Sequence, residues 1–258
     1  MLRPRIIPYL LVHKGGLYKT INFKNPKYIG DPLNTVRIFN EKCVDELVII
    51  DIDATIENKI PNYKLIKNIA SQCRMPICYG GGIKTVEQIE KIIGLGVEKV
   101  AISSAAIINP NLILEASKRV GSQSIAVVID IKKGKIFQNK YMVFINNGKK
   151  FIKKDPKQLS INFERLGAGE LIINSIDKDG TMSGYDLDLI DYFKSSISIP
   201  MTIVGGASSY ENIELTIKKN QLIGLGVGSL FVFKGKYRAV LIQYPNLLDK
   251  NKILKKYL

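Results

Sequence analysis

Eight short apolar runs, spaced along almost the whole chain, constrain its fold more than any other feature. They fall at residues 6–12, 46–52, 76–79, 99–102, 124–129, 170–173, 200–204 and 222–227. Each run is continuously apolar. A strand with one wet face alternates instead, so these runs predict parallel strands covered on both sides. The segments between them read as amphipathic helices. In Thr85-Val86-Glu87-Gln88-Ile89-Glu90-Lys91-Ile92-Ile93, for instance, Val86, Ile89 and Ile93 share one helical face behind a Thr85 cap. Eight strand–helix units in 258 residues predict an α/β fold, a (β/α)8 TIM barrel forming a single domain over 1–258.

An internal repeat sharpens this expectation. Pro76-Ile77-Cys78-Tyr79-Gly80-Gly81-Gly82-Ile83 recurs as Pro200-Met201-Thr202-Ile203-Val204-Gly205-Gly206-Ala207, 124 residues later. Glu46-Leu47-Val48-Ile49-Ile50-Asp51-Ile52-Asp53 recurs at the same offset as Glu170-Leu171-Ile172-Ile173-Asn174-Ser175-Ile176-Asp177. The chain therefore reads as two similar half-barrels. Two stretches interrupt the alternation. Residues 13–34 make a long connection after the first strand. Residues 132–158 carry a β-hairpin signal around Asn146-Asn147-Gly148, placed by topology at the barrel mouth.

The net charge of +15 invites a nucleic-acid reading, but its location argues against one. Residues 132–158 hold nine lysines against one acid, Asp155, and the tail at 234–258 holds six lysines and Arg238 against Asp249. The remaining body is nearly neutral. The charge thus marks an anion-attracting face and a basic tail, and nucleic acid is not the expected partner. Cys43, Cys73 and Cys78 are odd in number and lack metal-type spacing, which predicts reduced thiols in the cytoplasm. His13 is the only histidine, so a histidine metal cluster is excluded and neither metal nor cofactor is expected. No apolar run is long enough to span a bilayer, and Met1-Leu2-Arg3-Pro4 opens without an apolar signal core.

The chemistry is expected where the strands end. Gly81 and Gly82 follow the third strand, and Gly205 and Gly206 follow the seventh; Ser103-Ser104 and Gly228-Ser229 close the fourth and eighth. Such turns bring backbone N–H groups and hydroxyls to an anion, and their duplication predicts two phosphate sites facing across the mouth. The alternative is that these glycines only shape turns. Asp130 at the tip of strand five is the candidate acid–base group. Asp51, Asp53, Asp177 and Asp179 stand at the tips of strands two and six, to bind substrate hydroxyls or orient loops. At the opposite end Arg5, Glu46, Lys99 and Glu170 stand at strand starts and form a ring across the barrel bottom, either a neutral plug or a gate.

With these residues in view, the chain resembles the cyclase subunit of imidazole glycerol phosphate synthase, from histidine biosynthesis. The likeness runs over essentially the whole chain. It rests on Arg5-Ile6-Ile7-Pro8, Gly30-Asp31-Pro32, Asp45-Glu46-Leu47, Tyr79-Gly80-Gly81-Gly82-Ile83, Gly121-Ser122-Gln123, Gly167-Ala168-Gly169-Glu170 and Ser175-Ile176-Asp177-Lys178-Asp179-Gly180-Thr181. The resemblance implies a glutaminase subunit docked on the N-terminal barrel face, with ammonia passing Arg5, Glu46, Lys99 and Glu170. It implies a phosphorylated small-molecule substrate, a bisphosphorylated ribotide, held at the mouth. Lys19 matches the family's mobile first loop, Gly82, Ser104, Gly206 and Ser229 its phosphate-binding positions, and Asp179 and Gly180 fall in a shared motif.

One position departs from the pattern. The family uses aspartates at the ends of strands one and five; Asp130 matches the second, but Leu11 stands in place of the first, and Tyr9 replaces a small residue. Leucine transfers no proton. Two functions therefore stand open: the cyclase-type subunit, and a diverged paralogue. The second would lack cyclase activity and deliver ammonia for amidination of a surface-polysaccharide sugar by another enzyme.

Overall fold

A computed structural model describes residues 3–134 and 140–254. Eight parallel strands close into a barrel: β1 (Arg5–His13), β2 (Leu47–Asp51), β3 (Ile77–Gly80), β4 (Lys99–Ile102), β5 (Ile125–Lys133), β6 (Glu170–Ser175), β7 (Met201–Val204) and β8 (Gly224–Val227). The helices between them are α1 (Pro32–Glu41), α2 (Tyr63–Ala70), α3 (Val86–Ile93), α4 (Asn111–Val120), α5 (Pro156–Arg165), α6 (Leu187–Lys194) and α7 (Tyr210–Asn220), and α8 (Leu247–Leu254) follows β8. Closure pairs β8 with β1 at Arg5↔Gly224 and β5 with β6 at Asp130↔Asn174.

The strand composition follows from having two cores. Along β1, Ile6, Leu10 and Val12 pack outward beneath the helices, whereas Ile7, Tyr9 and Leu11 point into the barrel interior. Both faces are buried, so no polar alternation is required. Helix starts repeat the half-barrel echo. Asp31 caps α1 by accepting from the Asn34 N–H, and Asp155 caps α5 by accepting from the Gln158 N–H. Each is followed by proline, 124 positions apart. Thr85 and Gln88 form a reciprocal capping box on α3.

The connection at 13–34 is itself sheet. Strand Gly16–Ile21 runs antiparallel to β1 and strand Lys24–Gly30 antiparallel to it, turning at Lys14-Gly15 and at Asn22-Phe23. All four turn residues have positive φ. Beyond the rim β5 continues into a hairpin of Tyr141–Ile145 and Lys150–Ile152. Of the basic stretches, Lys135, Lys255 and Lys256 lie outside the described residues. Among the described residues no helix is long and apolar enough to cross a membrane.

Candidate active site at the barrel mouth

Inward-facing strand tips form the floor of the mouth. Asp130 on β5 and Asn174 on β6 are register partners, and Asn174 Nδ2 donates to Asp130 Oδ1 at 3.0 Å. On the opposite half, Leu11 on β1 and Ile50 on β2 are register partners in the same way. All four line one open cavity at the mouth. Burial pushes the Asp130 carboxyl up to about 7, the Asn174 hydrogen bond opposes this, and the charge of Asp179 adds to it.

That shift predicts a stability trade. Asp130 ionises near 3.8 in an unfolded chain but only near 7 in the fold, so stability falls as pH rises between the two. Asp130→Asn removes the term. Urea unfolding should show the variant more stable by roughly 4 kcal/mol at pH 8 and little different at pH 4. A gain of equal size at both pH values would assign the effect to packing.

Two polar niches flank this floor. The first, in the same cavity, holds Gly81, Gly82, Ser103 and Ser104. The second, about 450 Å³, holds Lys19, Asp179, Gly180, Gly205, Gly206, Gly228 and Ser229. Backbone geometry relates them: Ser103 lies at φ −110°, ψ −91° before a short helix, and Gly228 at φ −100°, ψ −92° before a single 3-10 turn. The glycines answer first to their turns. A Cβ on Gly81 would sit 2.3 Å from the Asp51 carbonyl oxygen, and one on Gly206 equally close to that of Gly184. The hydroxyls point more directly to a ligand. Ser103 Oγ and Ser229 Oγ are both buried without a hydrogen-bond partner, one in each niche. Ser104 Oγ accepts from the Asn146 N–H of the hairpin.

Lys19 enters the second niche from the first loop. Its ammonium donates to the Tyr9 carbonyl at 2.7 Å, and burial lowers its pKa to about 8 despite the pull of Asp179. Gly228 stands where Ser103 stands in the other half, and a Cβ there would lie 2.5 Å from Lys19 Nζ, the movable end of a long side chain. The tip aspartates secure loops. Asp179 Oδ2 accepts from Thr20 Oγ1 at 2.6 Å and from the Phe23 N–H at 3.0 Å, while Gly180 admits the Thr20 carbonyl. Asp53 binds His13 Nδ1 and the Lys14 N–H, Asp177 accepts from the Lys133 N–H, and Asp51 accepts from its own turn at Asp53 and Ala54. Phe23, so anchored, lines both cavities.

Residues 5–238 match the family described as histidine biosynthesis protein. The chain is 52% identical over 254 residues to a provisionally named imidazole glycerol phosphate synthase subunit, hisF3, of Vibrio vulnificus, covering 98% of this chain and 97% of that one. A provisionally named HisF subunit of Leptospira interrogans is 51% identical over 250 residues, 97% of this chain and 98% of its own. The chain belongs to the HisF family of imidazole glycerol phosphate synthase subunits. A HisF subunit of Sulfurisphaera tokodaii is also similar, at 40% identity over 218 residues, 84% of this chain and 86% of its own.

The bottom of this HisF-family barrel is a closed ring of alternating charge. Arg5 Nη1 meets Glu46 Oε2, Arg5 Nη2 meets Glu170 Oε1 at 2.7 Å, and Lys99 Nζ bridges Glu46 and, at 2.7 Å, Glu170. Thr202 Oγ1 donates to Glu170 Oε1 at 2.6 Å. Burial pushes the Glu170 carboxyl up, but Lys99 and Arg5 outweigh it and hold the group below the ordinary glutamate range. Among the described residues no group of three or more His, Cys, Asp or Glu side chains could hold a metal ion.

Sequence reasoning passed over Asn174, Ile50, Thr202 and Phe23. Asn174 carried a signal: the spacing Glu170, Ile172, Asn174 places it on the inward face shared with the ring residue. Thr202 shares its strand face with Val204, another interior residue. Phe23 carried none, because its position depends on the fold of the first loop.

Proposed function

We propose that this chain is the ammonia-receiving barrel of a two-protein glutamine amidotransferase, binding a phosphorylated ligand at its mouth without completing the cyclase reaction. Leu11 carries the reading. It lines the mouth cavity beside Asp130, where the family resemblance expects a second acid. A positioned proton-transfer group contributes about 10²–10⁴-fold, and a leucine forfeits it.

Two observations support the rest. The unpartnered hydroxyls of Ser103 and Ser229, with the Lys19 ammonium, suit two anionic groups or one at a time. The ring at the bottom is neutral as a unit, and above it the interior is lined by small or apolar side chains such as Cys78, Ala101 and Ala126. Neutral ammonia crosses such an interior at little cost, whereas ammonium pays a desolvation penalty. In this reading a glutaminase sits on the N-terminal face, ammonia passes the ring, and a separate enzyme uses it to amidinate a surface-polysaccharide sugar. The cyclase reading keeps in its favour the family match and Asp130 itself, held by Asn174 at 3.0 Å between both niches.

The test is to express the chain with glutaminase subunits from the same genome and isolate it under mild conditions. A stable complex that hydrolyses glutamine yet turns the cyclase substrate over at least ~100-fold slower than a two-aspartate cyclase is expected. Isolation with no glutaminase bound would overturn the ammonia-receiving role, and rapid cyclisation would restore the cyclase reading.

A further inference from the structure

Two hairpins on the β8–β1 side of the rim carry cations that the mouth chemistry leaves unused. Residues 14–30 and 228–248 hold no aspartate or glutamate. Beyond β8 a short hairpin pairs Phe233–Lys234 with Ala239–Val240, and its tip bears Lys236, Tyr237 and Arg238. It packs on the edge strand Lys24–Gly30 of the first loop. Lys27 Nζ donates to the Arg238 carbonyl at 2.9 Å, and both cations lie over the buried Phe233 ring, at 5.2 and 4.9 Å. Arg238 Nη2 also donates to the Gly180 carbonyl at 2.7 Å, which anchors the tip to the barrel rim. Among the described residues, none of Lys27, Lys234, Lys236 and Arg238 is in an ion pair.

The apolar side chains beside these cations face water. Tyr237 is 87% exposed, Val240 45% and Leu241 46%. Lysine on a sheet edge has an ordinary use, since it keeps other chains from pairing there. That accounts for Lys27. It does not account for a tyrosine, a valine and a leucine left bare beside four unpaired cations. Protein interfaces favour arginine and are depleted in lysine, whereas three of these four cations are lysine. Nucleic acid would stack on the tyrosine but gains little from the valine and leucine. An anionic bilayer uses them all, with ammonium groups among the headgroups, the phenol at the interface and the aliphatic chains just beneath. We propose that this pair of hairpins is a docking face for an anionic lipid bilayer, with Tyr237 at the point of insertion. The face needs neither glutaminase nor ammonia and goes beyond the ammonia-transfer reading.

The chain has no tryptophan, so Tyr237→Trp supplies a single reporter at an exposed position. Mixed with vesicles of phosphatidylglycerol and phosphatidylcholine in equal parts, this full-length variant should bind and its emission should shift to the blue. Vesicles of phosphatidylcholine alone should cause neither. Lys234→Gln with Lys236→Gln should weaken binding about tenfold or more. Lys149→Gln with Lys150→Gln removes the same charge from the other rim hairpin and should weaken it by less than about threefold. Equal losses for the two pairs would mean that net charge alone attracts the vesicles, and would overturn the assignment. So would no binding to the anionic vesicles, binding without a blue shift, or tighter binding to polyuridylate than to those vesicles. Each of these results leaves the ammonia-transfer reading standing, and a missing glutaminase leaves the vesicle assay unaffected.

Discussion

Leu11→Asp should raise ammonia-dependent cyclase turnover by about 10²–10⁴-fold over the unaltered chain. The side chain already projects into the cavity that holds Asp130, so a carboxylate there needs no change of backbone. Its neighbours are Tyr9 and Ile50, and burial among them raises its pKa. Asp130 on the opposite half is itself pushed up to about 7 by burial, so the mouth would offer a titratable carboxyl on each side. One acid and one base at the same mouth is the arrangement that proton shuttling requires. The substitution places a polar group among apolar neighbours and should cost about 1–3 kcal/mol of stability, read in the same preparation by urea unfolding. Leu11→Asn is the control: equal in size and polar, it transfers no proton and should stay at the starting rate. If both variants fold and neither forms product, the block lies in Tyr9 or Ile50 rather than in the missing acid.

The barrel was legible because its physics is local and repeated. Continuous apolar runs, two strand segments recurring at a fixed offset, and glycine pairs after strands three and seven all act over a few residues. The ring of Arg5, Glu46, Lys99 and Glu170 was legible for the same reason, since strand starts in a parallel barrel lie at one end. What escaped depends on side chains meeting across the sequence. The glycines could be read as ligand contacts or as turn residues, and the close approach that requires glycine at Gly81 and Gly206, a carbonyl 2.3 Å from where a Cβ would stand, appears only in the fold. Asp179 was open between binding substrate hydroxyls and orienting a loop; the fold shows it accepting from Thr20 and Phe23, 159 and 156 positions away, a pairing that local spacing does not carry. Asn174 shares the inward face of Glu170 by its spacing, but its hydrogen bond to Asp130 joins residues 44 positions apart and needs the closed barrel.

Lys99→Met should lower stability by roughly 3–5 kcal/mol near neutral pH, because it leaves two buried carboxylates sharing one arginine. Methionine preserves most of the side-chain volume, so the loss is electrostatic. In the unaltered ring Glu170 titrates below its ordinary value of 4.5, held down by Lys99 and Arg5 against burial. A depressed carboxylate stabilises the fold above its unfolded pKa, and that contribution is lost as pH falls through the folded one. Without Lys99 the sign reverses. Burial then outweighs Arg5 alone, the Glu170 carboxyl moves up, and protonation relieves the unpaired charge. The deficit of Lys99→Met should therefore be largest at pH 8 and shrink by about half or more at pH 5, where urea unfolding still begins from a folded chain. A deficit unchanged between the two pH values would mean that packing at the barrel floor, and not charge neutrality, is what Lys99 supplies. Glu46→Gln in the same background separates the partners: it should recover part of the lost stability, since one carboxylate then faces one guanidinium, joined through Glu170 and Thr202.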